Sequence, residues 1–214
     1  MGYDAALELA RKSLGEGIPE EMARRAGVIF NRDGIFRPDA SPDQEEGFFM
    51  VPYLGEEYRV YFPSGAVEKA DGTGPVPPAE QIPLLHYLTT ASGTPLGGRQ
   101  ISFKELWGGQ IYIDPFNRRA LAPMLKAFGA SPSLLLEAAG LLGGKEAGQG
   151  DVAATITVLP RVPVTLVIWG GDEEFPPSGT ILFDATANEY LPTEDLVYIT
   201  AACVYRLMKI KAGS

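Results

Sequence analysis

The strongest β-sheet pattern of the chain lies in residues 152–184, VAATITVLPRVPVTLVIWGGDEEFPPSGTILFD. Two β-branched runs, residues 152–159 and 162–169, are joined by a Pro-Arg dipeptide, and residues 180–183 form a third run. Such runs, separated by residues that favour turns, are typical of neighbouring strands in an antiparallel sheet. We therefore expect the main sheet to be built here, from hairpins.

A second region of strands precedes this one in the chain. Residues 48–51 and 58–62 are rich in aromatic and β-branched side chains, and a Pro-Ser-Gly turn leads into a further short run at 66–68. Shorter apolar runs near residues 100–103 and 110–113 predict two more strands.

Six segments show the features of helices, namely helical spacing of apolar residues with proline or acids in the first turn. They are residues 4–14, the segment from Pro19, residues 79–91, the segments from Asp114-Pro115 and Ser131-Pro132, and a long last helix from about Thr193. We predict an α+β fold, with a mixed, mainly antiparallel sheet built from hairpins and packed with about five to six helices.

The length of 214 residues fits one domain with a sizeable core. Only residues 70–78, ADGTGPVPP, have the composition of a linker. We predict a single domain, 1–214, in which this segment could connect an N-terminal lobe, 1–70, to a main lobe, 79–214.

The charge of the chain limits its partners. A net charge of −9 repels phosphate backbones and anionic lipid, and the basic clusters Arg24-Arg25 and Arg118-Arg119 are too small to reverse this field. No segment approaches the roughly 20 uninterrupted apolar residues that span a bilayer. We expect no nucleic-acid partner, no membrane association and a cytoplasmic location.

Cysteine and histidine are scarce, since Cys203 and His86 are the sole examples. Iron-sulfur clusters and structural zinc sites take several such ligands, so we expect no self-contained site of either kind. A tetrapyrrole needs only one imidazole, which leaves His86 as a candidate axial ligand. A lone histidine on an apolar helical stripe is also typical of a core residue. Cys203 lies on the apolar stripe of the last helix, where an unreactive thiol is expected.

Familiar nucleotide-binding and catalytic motifs are not matched. The run GQGDVA at 148–153 contains the glycines of a dinucleotide fingerprint, but it precedes a predicted strand instead of following one. The run GLLGGK at 140–145 has its glycines one residue short of a phosphate loop. No Gly-x-Ser-x-Gly elbow occurs, so a hydrolase triad is not indicated.

The loop WGGDEEFPPSG at 169–179 is the sharpest local feature. Its three adjacent acids, Asp172, Glu173 and Glu174, lie between aromatic residues, and Asp184 ends the strand that follows. Carboxylate clusters bind hard cations or amines, and paired carboxylates perform acid-base chemistry. The loop is equally typical of a solvated connection between strands, so both interpretations stay open.

A second candidate site follows the third helix, in the glycine-rich run TPLGGR at 94–99. Glycine permits close approach of the backbone to a ligand, and Arg99 or Lys104 could hold an anionic group. Trp107 and Trp169 complete the candidate ligand-binding set with His86. The run is also typical of a plain connection between a helix and a strand.

Four segments together resemble an uncharacterised family of bacterial and archaeal proteins, defined as a domain of unknown function. They are LGEEYRVYFPSG at 54–65, IPLLHYLTTASGTPLGGRQISFKEL at 82–106, LPRVPVTLVIWGGDEEFPPSGTILFD at 159–184 and YLPTEDL at 190–196. The resemblance implies a shared fold without an established activity. Some members carry an added N-terminal iron-sulfur segment similar to that of corrinoid proteins. Because this sequence has no Cys-x-x-Cys pair, a cluster is not transferred to it.

Three functional hypotheses follow. The first is a binding protein for a cofactor or small ligand, in which a tetrapyrrole (corrinoid or heme) contacts His86 and its carboxylates meet Arg99 and Lys104. The second is an enzyme that uses Asp172, Glu173, Glu174 and Asp184, with or without a divalent cation. The third is an accessory module that docks on an iron-sulfur or corrinoid partner protein.

Overall fold

The computed structural model describes residues 3–32 and 47–213. The chain forms two compact units. The first comprises Met1–Thr94 and Glu189–Leu191, and the second comprises Pro95–Asn188 and Pro192–Ser214. Residues 70–78, the predicted connection, lie inside the first unit, and the single-domain organisation stays a prediction.

The sheet of the first unit has four antiparallel strands in the order β1-β2-β3-β4. They are β1 Ile29–Asn31, β2 Gly47–Tyr53, β3 Glu56–Phe62 and β4 Val67–Lys69. The β2-β3 hairpin closes through two residues, Leu54 and Gly55, which both have positive φ as a tight hairpin turn requires. Phe49 and Val51 face the core from β2 and are fully buried.

The described residues of the first unit also form three helices, α1 Tyr3–Gly15, α2 Pro19–Ala26 and α3 Pro78–Thr90. Gly27 ends α2 in the left-handed conformation, a common helix terminus. The hydroxyl of the fully buried Tyr87 on α3 donates to the carbonyl of Ala26 at 2.6 Å. This bond ties α3 to the end of α2.

The sheet of the second unit has five antiparallel strands in the order β5-β9-β8-β7-β6. They are β5 Gln100–Ser102, β6 Lys145–Glu146, β7 Val152–Leu159, β8 Val162–Trp169 and β9 Ser178–Asp184. The central strand β8 is buried along nearly its whole length. Its sequence, apolar except for the buried Thr165, is what a strand covered on both faces requires.

Three helices pack in the second unit. Helix α4 consists of an α-helical turn Ile113–Phe116, a π-helical turn Asn117–Leu121 and a second α-helical segment Ala122–Phe128. Helix α5 is Ser133–Gly140, and α6 is Thr193–Gly213. The wide turn precedes Pro123, which has no N–H to donate to the carbonyl of Arg119, and Ala122 instead bonds Asn117. On α6 the side chains of Leu196, Ile199, Cys203 and Leu207 are fully buried.

The predicted α+β class is confirmed, with antiparallel hairpins and six helices among the described residues. The strand predicted near residues 110–113 is wrong. Residues 110–112 form turns and Ile113 begins α4, because Gly108 takes a positive φ and its carbonyl accepts a hydrogen bond from the Ile111 N–H. No helix in the described part of the chain is long and apolar enough to cross a membrane.

Candidate functional site

A groove of about 340 Å³ lies in the second unit, where the short 3₁₀ turn Phe103–Glu105 meets α4 and β9. Nine residues line it: Ser102, Phe103, Lys104, Ile113, Phe116, Asn117, Leu121, Thr180 and Ile181. Five of these are apolar, three are neutral and polar, and Lys104 alone is charged. We call this cavity the Lys104 groove.

A reciprocal set of hydrogen bonds fixes the 3₁₀ turn that carries Lys104. The carboxylate of Glu105 accepts the N–H of Ser102 and its hydroxyl, both at 2.8 Å. These bonds, the backbone one first, lower the pKa of Glu105. The turn is therefore fixed where Lys104 lines the groove, and Glu105, which does not line the groove, is engaged by Ser102.

Two stacked aromatic rings support the groove. The rings of Phe103 and Phe116 lie with centroids 3.9 Å apart and nearly parallel, at 10°. Phe183 of β9 packs against both, with centroids about 6 Å away. Because the rings are buried and rest on the sheet, one wall of the groove is rigid and apolar.

The glycine-rich run beside Arg99 is organised around a buried carboxylate. Asp184 is 6% exposed and accepts the N–H groups of Gly97 and Gly98 at 3.1 and 2.7 Å. It also accepts the N–H and hydroxyl of Thr186, at 3.0 and 2.7 Å. Burial acts to raise the pKa of Asp184, but these hydrogen bonds outweigh it and lower the pKa. Asp184 thus anchors the loop, and the Arg99 side chain is exposed.

The acidic loop lies at the other end of β9 from Asp184. A strand of this length spans about 20 Å, so the structure brings Asp172, Glu173 and Glu174 together but leaves Asp184 apart from them. The three acids are exposed and line an open cleft of about 400 Å³. Asp172 accepts the N–H groups of Phe175 and Glu174 at 2.8 and 2.9 Å, and these bonds lower its pKa.

The two tryptophans of the candidate ligand-binding set lie on different elements of the fold, the end of a strand and a turn. Trp169 ends β8 next to the acidic loop and is 41% exposed. Trp107 is 84% exposed, although its backbone is held, with its N–H donated to Asn188 at 2.9 Å and its carbonyl bonded by Thr193. Neither lines the Lys104 groove.

Sequence comparison places the chain in a known family. The sequence model of a family described as a domain of unknown function, DUF3786, matches residues 19–206. The chain belongs to the DUF3786 family. Comparison of this DUF3786 domain with curated proteins and with solved structures found no match. The predicted membership of an uncharacterised family of unknown function is confirmed, and the family description assigns no activity.

His86 lies in the first unit of the DUF3786 domain, on α3, whereas the other candidate residues lie in the second. Its side chain is half-buried, between the fully buried Leu85 and Tyr87. Its carbonyl accepts the hydroxyls of Thr89 and Thr90 at 3.1 and 2.8 Å. Among the described residues, no group of three or more His, Cys, Asp or Glu side chains is placed to hold a metal ion.

Sequence reasoning missed most of the groove in this DUF3786 domain. Of its lining residues only Lys104 was a candidate, and Asn117 and Thr180 were not. The Ser102-x-x-Glu105 spacing of a capping box is a signal that could have located the 3₁₀ turn. No comparable signal marks Asn117, because Pro123 accounts for the wide turn but not for the strand that this turn faces across the groove.

Proposed function

We propose that this DUF3786 domain binds a small molecule in the Lys104 groove. The observation that supports the proposal is a concave, mainly apolar cavity with a few polar groups that converge on it, which is the usual form of a small-molecule site. The volume of about 340 Å³ falls within the range of such sites.

The residues that line the Lys104 groove support ligand binding without catalysis. Catalysis by a Ser or Thr hydroxyl needs a neighbouring base, and catalysis by Lys needs an ammonium whose pKa is lowered by burial or by a second cation. The nine lining residues include no His, Cys, Asp or Glu that could act as a base or nucleophile, and Lys104 is exposed. We therefore infer a binding protein.

Blocking the groove tests this proposal. Thr180 on β9 lines the groove, so Thr180→Trp should fill it, whereas Thr157→Trp places the same side chain at an exposed position of β7. A panel of compact molecules is screened by amide NMR shifts in the ¹⁵N-labelled protein. We expect ligands that shift groove residues to be lost in Thr180→Trp and kept in Thr157→Trp. Unchanged binding in Thr180→Trp would contradict the proposal.

A tetrapyrrole ligand is a finer proposal that rests on His86. The Lys104 groove is too small for a macrocycle, since about 340 Å³ corresponds to roughly eleven water volumes. A tetrapyrrole would instead meet the half-buried imidazole of His86 in the first unit. Heme and cobalamin titrations followed by visible absorption test this. A spectral shift should be lost in His86→Ala and kept in Thr89→Ala, and no shift in the wild type would end the proposal.

An acidic site is the second candidate, supported by the cleft that Asp172, Glu173 and Glu174 share with Phe175. Because the three acids are not placed as a three-ligand site, its proposed role is to hold a divalent cation through one or two carboxylates, with water as the remaining ligands. Calorimetric titration with magnesium, calcium and manganese tests it, with Glu173→Gln as the variant and Glu137→Gln, an exposed acid that does not line the cleft, as the control. Equal heats in both variants would remove this candidate.

A docking module is the third candidate, supported by Trp107 and by Ile111, which is 80% exposed on the same turn. Exposed tryptophans on a fixed backbone are typical anchors of protein interfaces. A purified corrinoid protein or iron-sulfur protein would be captured on the immobilised domain. Capture should be lost in Trp107→Ala and kept in Tyr205→Ala, a second exposed aromatic position.

A further inference from the structure

Lys104 is the charged group that defines the Lys104 groove. Its side chain is exposed at the groove, and within the described residues it has no ion-pair partner. The chain around it has a net charge of −9, which repels anions from most of the surface. An anion would therefore bind where a cation is available to pair with it, and Lys104 offers one beside an apolar wall.

Two neutral polar groups accompany the ammonium. The Asn117 amide comes from the π-helical turn of α4, and the Thr180 hydroxyl comes from β9. Neither side chain has a hydrogen-bond partner in the described part of the chain. The Ser102 hydroxyl already donates to Glu105. Asn117 and Thr180 can therefore each donate a hydrogen bond to a ligand oxygen.

The number of positive charges and donors in the groove favours a carboxylate over a phosphate as the bound anion. A phosphate dianion is usually held by an arginine fork, several backbone N–H groups or a second cation. The groove supplies one lysine and two neutral donors, which match the single charge and two oxygens of a carboxylate.

The size and wall of the groove restrict the rest of the ligand. A volume of about 340 Å³ has room for roughly ten heavy atoms, taking each as about one water volume. The wall formed by Phe103, Phe116 and Ile181 favours a compact apolar body.

We propose that the ligand of the Lys104 groove is a compact monocarboxylate with an aromatic or branched apolar body, its carboxylate bound by Lys104, Asn117 and Thr180. This inference rests on the proposed function, because it names the class of molecule that the same groove takes.

Three probes of the same shape and different charge test the inference: phenylacetate, phenylacetamide and 2-phenylethylamine. Dissociation constants come from amide NMR titrations of the full chain. We expect phenylacetate to bind about tenfold more tightly than phenylacetamide, the usual effect of one charge-assisted contact. In Lys104→Met this preference should fall to about one, whereas Lys126→Met, an exposed lysine on α4, should keep it.

The outcomes separate this inference from the proposed function. If the amide or the amine binds as tightly as the acid, the carboxylate class is overturned and small-molecule binding stands. The same holds if none of the three binds while another molecule of the screening panel does so and is blocked by Thr180→Trp. If no molecule of the panel binds in the groove, both proposals fail.

Discussion

Asp184 shows how one side chain organises a loop. Its carboxylate accepts four hydrogen bonds, from the N–H groups of Gly97 and Gly98 and from the N–H and hydroxyl of the buried Thr186, whose donors would otherwise lack partners. The residue was a candidate for acid-base work because it ends a strand near an acidic loop. The hydrogen bonds instead assign it to holding the glycine-rich run beside Arg99.

Asp184→Asn should lower the free energy of unfolding by about 2 kcal/mol, because an amide accepts with one oxygen and has no charge. Chemical denaturation measures this, with Glu173→Gln, at an exposed position, expected within about 0.5 kcal/mol of wild type. The pKa of Asp184 is lowered, so its stabilisation is present above pH 4 and is lost as the pH falls through the folded-state pKa. The two curves should converge below pH 4, and a constant gap would contradict this.

Cys203 should be chemically silent in the folded protein. Its side chain is fully buried on α6, and burial raises the pKa of the thiol to about 12. Since the thiolate is the reactive form, we expect no reaction with a disulfide reagent at pH 8 until denaturant is added. Fast labelling of the native protein would show that α6 opens.

At the scale of elements, the turn before α4 depends on Gly109. A Cβ at this position would lie 1.9 Å from the carbonyl oxygen of Phe103, which belongs to the backbone of the 3₁₀ turn. This close approach packs the exposed Trp107 turn against the element that carries Lys104.

Gly109→Ala should therefore destabilise the protein by about 2 kcal/mol or more, since a backbone clash cannot be relieved by a side-chain rotation. The matched control is Gly140→Ala, where nothing lies within 4 Å of the added Cβ and the glycine ends helix α5. Alanine there should be neutral or stabilising by up to about 1 kcal/mol. Thermal and urea unfolding of both variants compare them, and equal stabilities would contradict the clash.

Helix α4 is attached through a stripe of buried residues, Phe116, Ala120, Met124 and Phe128. Their spacing of four residues exceeds the 3.6-residue helical repeat, so the stripe would drift around a regular α-helix. The π-helical turn Asn117–Leu121 takes up part of this drift because its turn is wider.

Met124→Ala should cost about 3 kcal/mol of unfolding free energy, as is usual for a fully buried residue replaced by a smaller one. Met124→Leu, which nearly conserves volume, should cost less than about 1.5 kcal/mol. Lys126→Ala on the exposed side of the same helix should change little. Denaturation midpoints of the three variants test the order.

For the whole molecule, the path of the chain between the two units affects how cooperatively they unfold. The chain leaves the second unit after Asn188, contributes Glu189–Leu191 to the first and returns at Pro192. A short segment of the first unit is thus tethered on both sides to elements of the second, β9 and α6.

We expect the two units to unfold in one transition, in keeping with the predicted single domain. Both tryptophans, Trp107 and Trp169, lie in the second unit, so their fluorescence reports on that unit alone, whereas far-UV circular dichroism reports on both. The two signals should give the same midpoint in urea. Midpoints that differ would show that the units unfold independently.

The sequence by itself determined the fold class and most elements, because helix caps, proline positions and β-branched runs act over a few neighbouring residues. The strands at 152–159 and 162–169 and the helix from Thr193 are found as predicted. The sequence-based prediction of a strand failed at residues 110–113, where the turn at Gly108 overrides a short apolar run.

Only the tertiary structure decided how the candidate residues are grouped. It separated Asp184 from the acidic loop by the length of β9, and it joined Lys104 to Asn117 and Thr180 across three elements. Contacts of this kind depend on which strands and helices pack together. Local sequence patterns do not predict contacts between residues that lie far apart in the chain.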